Sequence, residues 1–97
     1  MNMEEHLAKL WQRSRQASPA RLAGIDRLRL VTYFADWGLL NGAEIGVERG
    51  KFSYHMLKNI PGCHMTCVDN WNPRLRGQAK YESALERLTP LNATCTN

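Results

Sequence analysis

Three carboxylates and two glycines are spaced as a small-molecule crevice requires: Glu44, Glu48 and Asp69, with Gly46 and Gly50. Ala43-Glu44-Ile45-Gly46-Val47-Glu48-Arg49-Gly50-Lys51-Phe52-Ser53 reads as a strand running into a glycine-hinged loop and then a helix. Cys67-Val68-Asp69-Asn70-Trp71 reads as a second strand ending in a carboxylate, with Asp69 placed 23 positions after Gly46. Glycine at position 46 allows a sharp turn and lets a ligand approach the backbone with no Cβ in the way. Gly50 is expected to let the following helix pack close to the strand. Open α/β sheets bind ligands beyond the carboxyl ends of their strands, and both segments end there.

The charges of the loop select among ligands. The dinucleotide fingerprint is G-x-G-x-x-G, and Glu48 stands where its second glycine belongs. A pyrophosphate cradled there would be repelled by Glu44 and Glu48. A ligand cationic at its centre would be favoured. S-adenosylmethionine is of that kind: it carries a sulfonium and an ammonium against one carboxylate, and no phosphate. Asp69 at the end of the second strand would accept hydrogen bonds from both ribose hydroxyls.

These two segments resemble the first and second motifs of class I S-adenosylmethionine-dependent methyltransferases. The variant is the one whose first motif reads acidic-Ile-Gly-Val-x-x-Gly-x-x-Ser and whose second strand ends Val-Asp-x-Trp. The helix containing Tyr81-Glu82-Ser83-Ala84-Leu85-Glu86-Arg87-Leu88 is similar to that family's next helix. The resemblance covers about residues 39–91. It implies a Rossmann-like fold, with Glu44 near the methionine amino end of the cofactor and Gly46, Val47 and Gly50 forming the loop beside it. It further implies Asp69 at the ribose, Asn70 and Trp71 near the adenine, and Ser53 lining the helix start. The chain departs from the family at Glu48, where many members carry a third glycine.

The elements that would position these residues follow from periodicity. Met3, Leu7, Leu10 and Trp11 mark one face of a helix over about residues 3–17. Ser18-Pro19 breaks it, with Ser18 as cap and Pro19 at the first position of a second helix that extends to Trp37. Leu22, Ile25, Leu28, Leu30, Phe34 and Trp37 form its apolar face, and Gly38 stops it. A first, central strand is expected over 42–47, a helix over 50–59 closed by Pro61-Gly62, and a second strand over 64–69. Phe52, Met56 and Ile60 give the first of these helices its four-residue spacing. Asn72-Pro73 makes a turn. A helix over 75–88 follows, with Tyr81, Ala84, Leu85 and Leu88 inward, and then the start of a third strand at 92–96. The fold class is α/β, a partial Rossmann-like sheet: two N-terminal helices, then βαβα and a third parallel strand. The division is an N-terminal helical segment at 1–38 and a truncated cofactor-binding region at 39–97. Parallel sheets need both faces covered, and the two N-terminal helices are expected to cover part of one.

Composition bounds the function. The 97 residues, 43% hydrophobic and 23% charged, suit one globular domain. No apolar run reaches the roughly 18 residues of a membrane span. Glu4 and Glu5 interrupt any signal-peptide pattern at the start, so the expected location is cytoplasmic. The net charge is +4, and Lys9, Arg13, Arg15, Arg21, Arg27 and Arg29 hold much of the excess. No aromatic residues interleave those arginines for base stacking, so a solvated helical face is expected rather than a nucleic-acid surface. Cys63, Cys67 and Cys95 are an odd number, which suits a reducing compartment. On a strand Cys63 and Cys67 lie about 13 Å apart, too far for a shared metal or a disulfide. His6, His55 and His64 show no partner pattern and read as structural; no metal site is expected.

The expectation is therefore the N-terminal, cofactor-binding part of a methyltransferase, inactive in isolation. The methyl acceptor and any catalytic base remain unassigned. The alternatives are a non-catalytic binding or assembly module and a basic nucleic-acid-binding protein. An unpaired sheet edge would also invite self-association.

Overall fold

The computed structural model describes residues 2–14 and 26–97. Helix α1 spans Met3–Ser14 and α2 spans Arg27–Asp36. Strand β1 (Asn41–Ile45), helix α3 (Lys51–Asn59) and strand β2 (His64–Val68) follow, then a 3-10 turn at Pro73–Leu75, helix α4 (Gly77–Leu88) and strand β3 (Ala93–Thr96). The chain is thus mixed α/β, and each crossover from strand to strand passes through a helix.

The sheet order is β1-β2-β3, all parallel. Ala43 lies opposite Thr66 and Glu44 opposite Cys67, while Cys67 in turn lies opposite Cys95. Gly46 continues the ladder by donating to the Val68 carbonyl at 2.9 Å, and Asp69 by donating to Thr96 at 3.3 Å. β2 is therefore the central strand. The expectation of a central β1 is corrected: among the described residues β1 pairs only with β2 and lies at an edge.

Because strand side chains alternate, each face has its own row. Met65 and Cys67 point into a core with Val31 of α2, Met56 and Ile60 of the α3 region, and Ala84 and Leu88 of α4. Phe34, Phe52, Tyr81, Ala93 and Cys95 pack against that core. On the opposite face Asn41, Ala43, Ile45, Thr94 and Thr96 are exposed.

The N-terminal helices differ from expectation in one clear way. Asp26 is extended (φ −111°, ψ −178°), and its side chain accepts from the Arg29 N–H, so α2 starts afresh at Arg27. A helix running unbroken from Pro19 is thereby corrected; Ser18, Pro19, Leu22 and Ile25 lie outside the described residues. With this start Val31 becomes the buried residue of α2, while Leu28 is 58% exposed. The His6 ring of α1 sits edge-on between Tyr33 and Trp37 and accepts from the Trp37 indole N–H at 3.0 Å. No helix of the described residues is long and apolar enough to cross a membrane.

Candidate functional site

The carboxyl edge of the sheet is organised by Asp69. This residue follows β2, and its Oδ2 accepts from the backbone N–H of Val47 and of Glu48, both at 2.8 Å. Its Oδ1 accepts from the Trp71 N–H at 2.9 Å. These donors, that of Glu48 foremost and that of Trp71 next, hold the Asp69 carboxyl below the usual carboxylate range. A carboxylate has about four acceptor sites, so most of this one is already committed to the loops.

The loop after β1 depends on those bonds. Glu48 has φ +53° and Trp71 has φ +42°, both in the left-handed region that side chains with a Cβ disfavour. Asp69 accepts from both residues, and the Trp71 indole N–H donates to the Glu48 carbonyl at 2.8 Å. Two strained residues on separate loops are thus held by one carboxylate and by each other. Glu48 adopts a backbone conformation that a glycine would adopt freely.

Two glycines complete the loop. Gly46 has φ +88°, and a Cβ built there would meet nothing within 4 Å. The space beside it is open to a ligand. Gly50 has φ +77° and precedes the first turn of α3. A Cβ there would lie 2.8 Å from Leu88 Cδ1. Gly50 therefore admits α4, and the expectation that it serves helix-to-strand packing is corrected to helix-to-helix packing. Val47 between them is buried in the core.

Glu44 lies on the helix-facing row of β1. Its Oε1 accepts from the Ser53 hydroxyl at 2.7 Å, and Ser53 Oγ accepts from Cys67 Sγ at 3.3 Å. Ser53 is fully buried, so this chain fixes the Glu44 side chain from beneath. Among the described residues no buried side-chain nitrogen or oxygen lacks a partner.

Two hollows open along this edge. One, of about 300 Å³, is lined by Glu44, Gly46, Val47, Glu48, Phe52 and neighbouring basic residues. The other, of about 250 Å³, is lined by Gly46, Glu48, Asp69, Asn70, Trp71 and residues 72–80. Their linings share Gly46 and Glu48. The basic groups around the first hollow are partly engaged: Arg27 lies over the Phe52 ring at 5.6 Å and Arg49 donates to Ser83 Oγ at 3.2 Å. A larger hollow, about 620 Å³, lies between α2 and α3 and contains none of the strand-end residues.

No family model, no curated protein and no solved structure matches this chain. Its chemistry therefore has to be read from the geometry alone.

Of the residues the sequence points to, Glu44, Gly46, Val47, Gly50, Asp69, Asn70 and Trp71 all fall on this edge. Asn70 is exposed in the second hollow, whereas the Trp71 ring is 6% exposed and packs on Tyr81 at 4.7 Å between centroids. Sequence reasoning missed the segment 72–80. Asn72 caps the 3-10 turn through the Arg74 N–H, and its carbonyl accepts from the Gly77 N–H. Gly77 then passes so close to the Trp71 carbonyl that a Cβ would overlap it. The Arg76-Gly77 pair opening a helix was the available signal. Elsewhere, His64 meets Thr94 Oγ1 at 3.2 Å, and His55 pairs with Asn59. Among the described residues no group of three or more His, Cys, Asp or Glu is placed to hold a metal ion. Burial raises the Cys63 and Cys95 thiols, Cys95 with a further contribution from Cys67, so both stay protonated at neutral pH.

Proposed function

We propose that this chain binds S-adenosylmethionine at the carboxyl edge of its sheet and serves as the cofactor-binding part of a methyltransferase. The observation that carries this reading is a pair of hollows at the strand ends whose linings share Gly46 and Glu48, with the Glu44 carboxylate, held by Ser53, in the first. The first, at about 300 Å³, lies at the lower end of the usual size of small-molecule sites, and the second, at about 250 Å³, is a little smaller. The open space at Gly46 admits a ligand against the backbone, and the Glu44 carboxylate offers a partner to a cationic group, with Arg27, Arg49 and Lys51 elsewhere on the same lining.

The chain's own residues would divide the work. Glu44, steadied by Ser53, offers its remaining acceptor positions to the ammonium of the methionine portion. Gly46 allows close approach. Asn70 offers an amide to the adenine, and Leu75 an apolar contact beside it. The bound group supplies a methyl carbon made electrophilic by its sulfonium. Holding that carbon in line with an acceptor is the main task of such a protein.

Titration calorimetry with S-adenosylmethionine, S-adenosylhomocysteine and NAD tests the reading. Binding of the two adenosyl ligands without NAD is the expected result. Binding of NAD alone would overturn the proposal.

A further inference from the structure

The Asp69 carboxylate is engaged by backbone N–H groups, whereas the Glu48 side chain is exposed. Asp69 holds three backbone N–H groups, two of them on one oxygen. Glu48 is exposed, and with Gly46 it is shared by both hollows. In an adenosyl ligand the ribose is the link between the adenine and the methionine portion. If adenine occupies one hollow and methionine the other, the ribose lies beside the residues that line both, Gly46 and Glu48.

We infer that Glu48 is the carboxylate that receives the ribose hydroxyls, and that Asp69 is a positioning residue that holds Glu48 in place. The inference rests on the adenosyl-binding reading and assigns to Glu48 the ribose, which the sequence resemblance gives to Asp69. Backbone strain points the same way. Glu48 is left-handed at φ +53°, where glycine would be unstrained. A strained side-chain-bearing residue held by two separate hydrogen bonds, at its N–H and at its carbonyl, is typical of functional positions. The Asp69 bond at its N–H and the Trp71 bond at its carbonyl fix the peptide planes on both sides of the Glu48 Cα. The backbone of Glu48 is thereby fixed by hydrogen bonds rather than by packing. Bidentate acceptance of two vicinal hydroxyls then needs no rearrangement of Asp69.

The test compares wild type, Glu48→Gln, Glu48→Gly and Asp69→Asn for binding of S-adenosylhomocysteine and its 2′-deoxy and 3′-deoxy analogues by calorimetry, with thermal melts of each protein. Wild type should prefer the ribose form. Glu48→Gln should melt at the wild-type temperature, bind S-adenosylhomocysteine roughly ten- to a hundredfold more weakly, and lose the preference for ribose. Glu48→Gly should bind as weakly yet melt higher, by about 4 °C, because the left-handed strain is relieved. Asp69→Asn should lower both the melting temperature and the affinity while keeping the ribose preference in whatever binding remains. Glu48→Gln that retains wild-type affinity and preference overturns the inference and leaves the adenosyl reading standing. So does an Asp69→Asn protein that stays folded and alone loses the preference. Failure of wild type to bind S-adenosylhomocysteine overturns the adenosyl reading and this inference with it.

Discussion

Glu44 and Ile45 are neighbours on β1 and opposite in circumstance. Glu44 faces the helices, is half-buried and is held by Ser53; Ile45 faces the other way and is 85% exposed. The same contrast runs across the sheet. Cys67 beside Glu44 is completely buried, whereas Thr94 and Thr96 on the opposite row are exposed. Every bond that shapes the candidate site comes from the covered side or from the loops at the strand ends: Ser53 to Glu44, Asp69 to Val47 and Glu48, Trp71 to Glu48. The uncovered side contributes none of them. The two βα units are therefore sufficient to arrange the loops, and the site should respond to changes on one face and ignore changes on the other.

The largest break in that asymmetry is expected at Gly50. Alanine there must take φ +77° and meet Leu88 Cδ1 at 2.8 Å. The left-handed backbone costs about 1–2 kcal/mol and overpacking about 1–3 kcal/mol. Gly50→Ala is thus expected to lose about 3 kcal/mol of stability in urea denaturation. A loss below about 1 kcal/mol would mean that α3 and α4 can separate without harm to the loop.

Asp69 comes next. Asp69→Ala removes the acceptor for three N–H groups, of which the one on Glu48 is solvent-exposed and can turn to water. The expected loss is about 2 kcal/mol. The pH dependence has a definite sign. The folded carboxyl titrates below its unfolded value, which is about 3.9. Its contribution is complete above that pH and is lost as pH falls through the lower, folded value. Urea midpoints measured from pH 6 down toward pH 2 should fall more steeply for wild type than for Asp69→Ala. Parallel curves would show that the loop bonds do not discriminate the ionised form.

How much of this was legible in the residues differs between the regions. The order of strands and helices from residue 41 onward follows from four-residue spacing in α3 and α4, from Pro61-Gly62 and from Asn72-Pro73, because these are local signals. That Glu44, Gly46 and Asp69 lie at the carboxyl ends of the strands was legible for the same reason: strand ends and glycines are local signals in the sequence. The partners of Asp69 were not. Two of its three bonds join residues more than twenty positions apart, and nothing in a carboxylate's type says whether it faces a ligand or a backbone N–H. The edge position of β1 was equally hidden, since a strand's own residues do not record how many neighbours pair with it. The start of α2 was misread because Leu22, Ile25 and Leu28 continue a helical pattern, whereas the extended backbone of Asp26 interrupts it.

A smaller effect is expected at Ser53. Ser53→Ala fits the buried space but leaves Glu44 Oε1 without its donor and Cys67 Sγ without its acceptor. The Glu44 carboxylate retains access to water, which moderates the cost to about 1–2 kcal/mol. The sharper consequence is for binding, because Glu44 loses the bond that steadies it. Calorimetry with S-adenosylmethionine should show weaker binding in Ser53→Ala at a temperature where the protein is still folded. Unchanged affinity would remove Glu44 from the ligand's surroundings.

On the uncovered face the expected change in stability is close to nothing. Ile45 buries little against its own chain, so Ile45→Lys should alter the urea midpoint by less than about 0.5 kcal/mol. Its effect should appear in association instead. Among the described residues β1 offers an unpaired edge, and such edges recruit other strands unless charge discourages them. Sedimentation over a range of protein concentrations is expected to show association in wild type and less of it in Ile45→Lys. Because Ile45 adjoins Gly46 but faces away from Glu44, the variant should also keep wild-type affinity for S-adenosylhomocysteine. Loss of affinity without loss of stability would break the comparison at its root: the loop would then depend on the exposed face, and the two sides of β1 would have to be treated as one site.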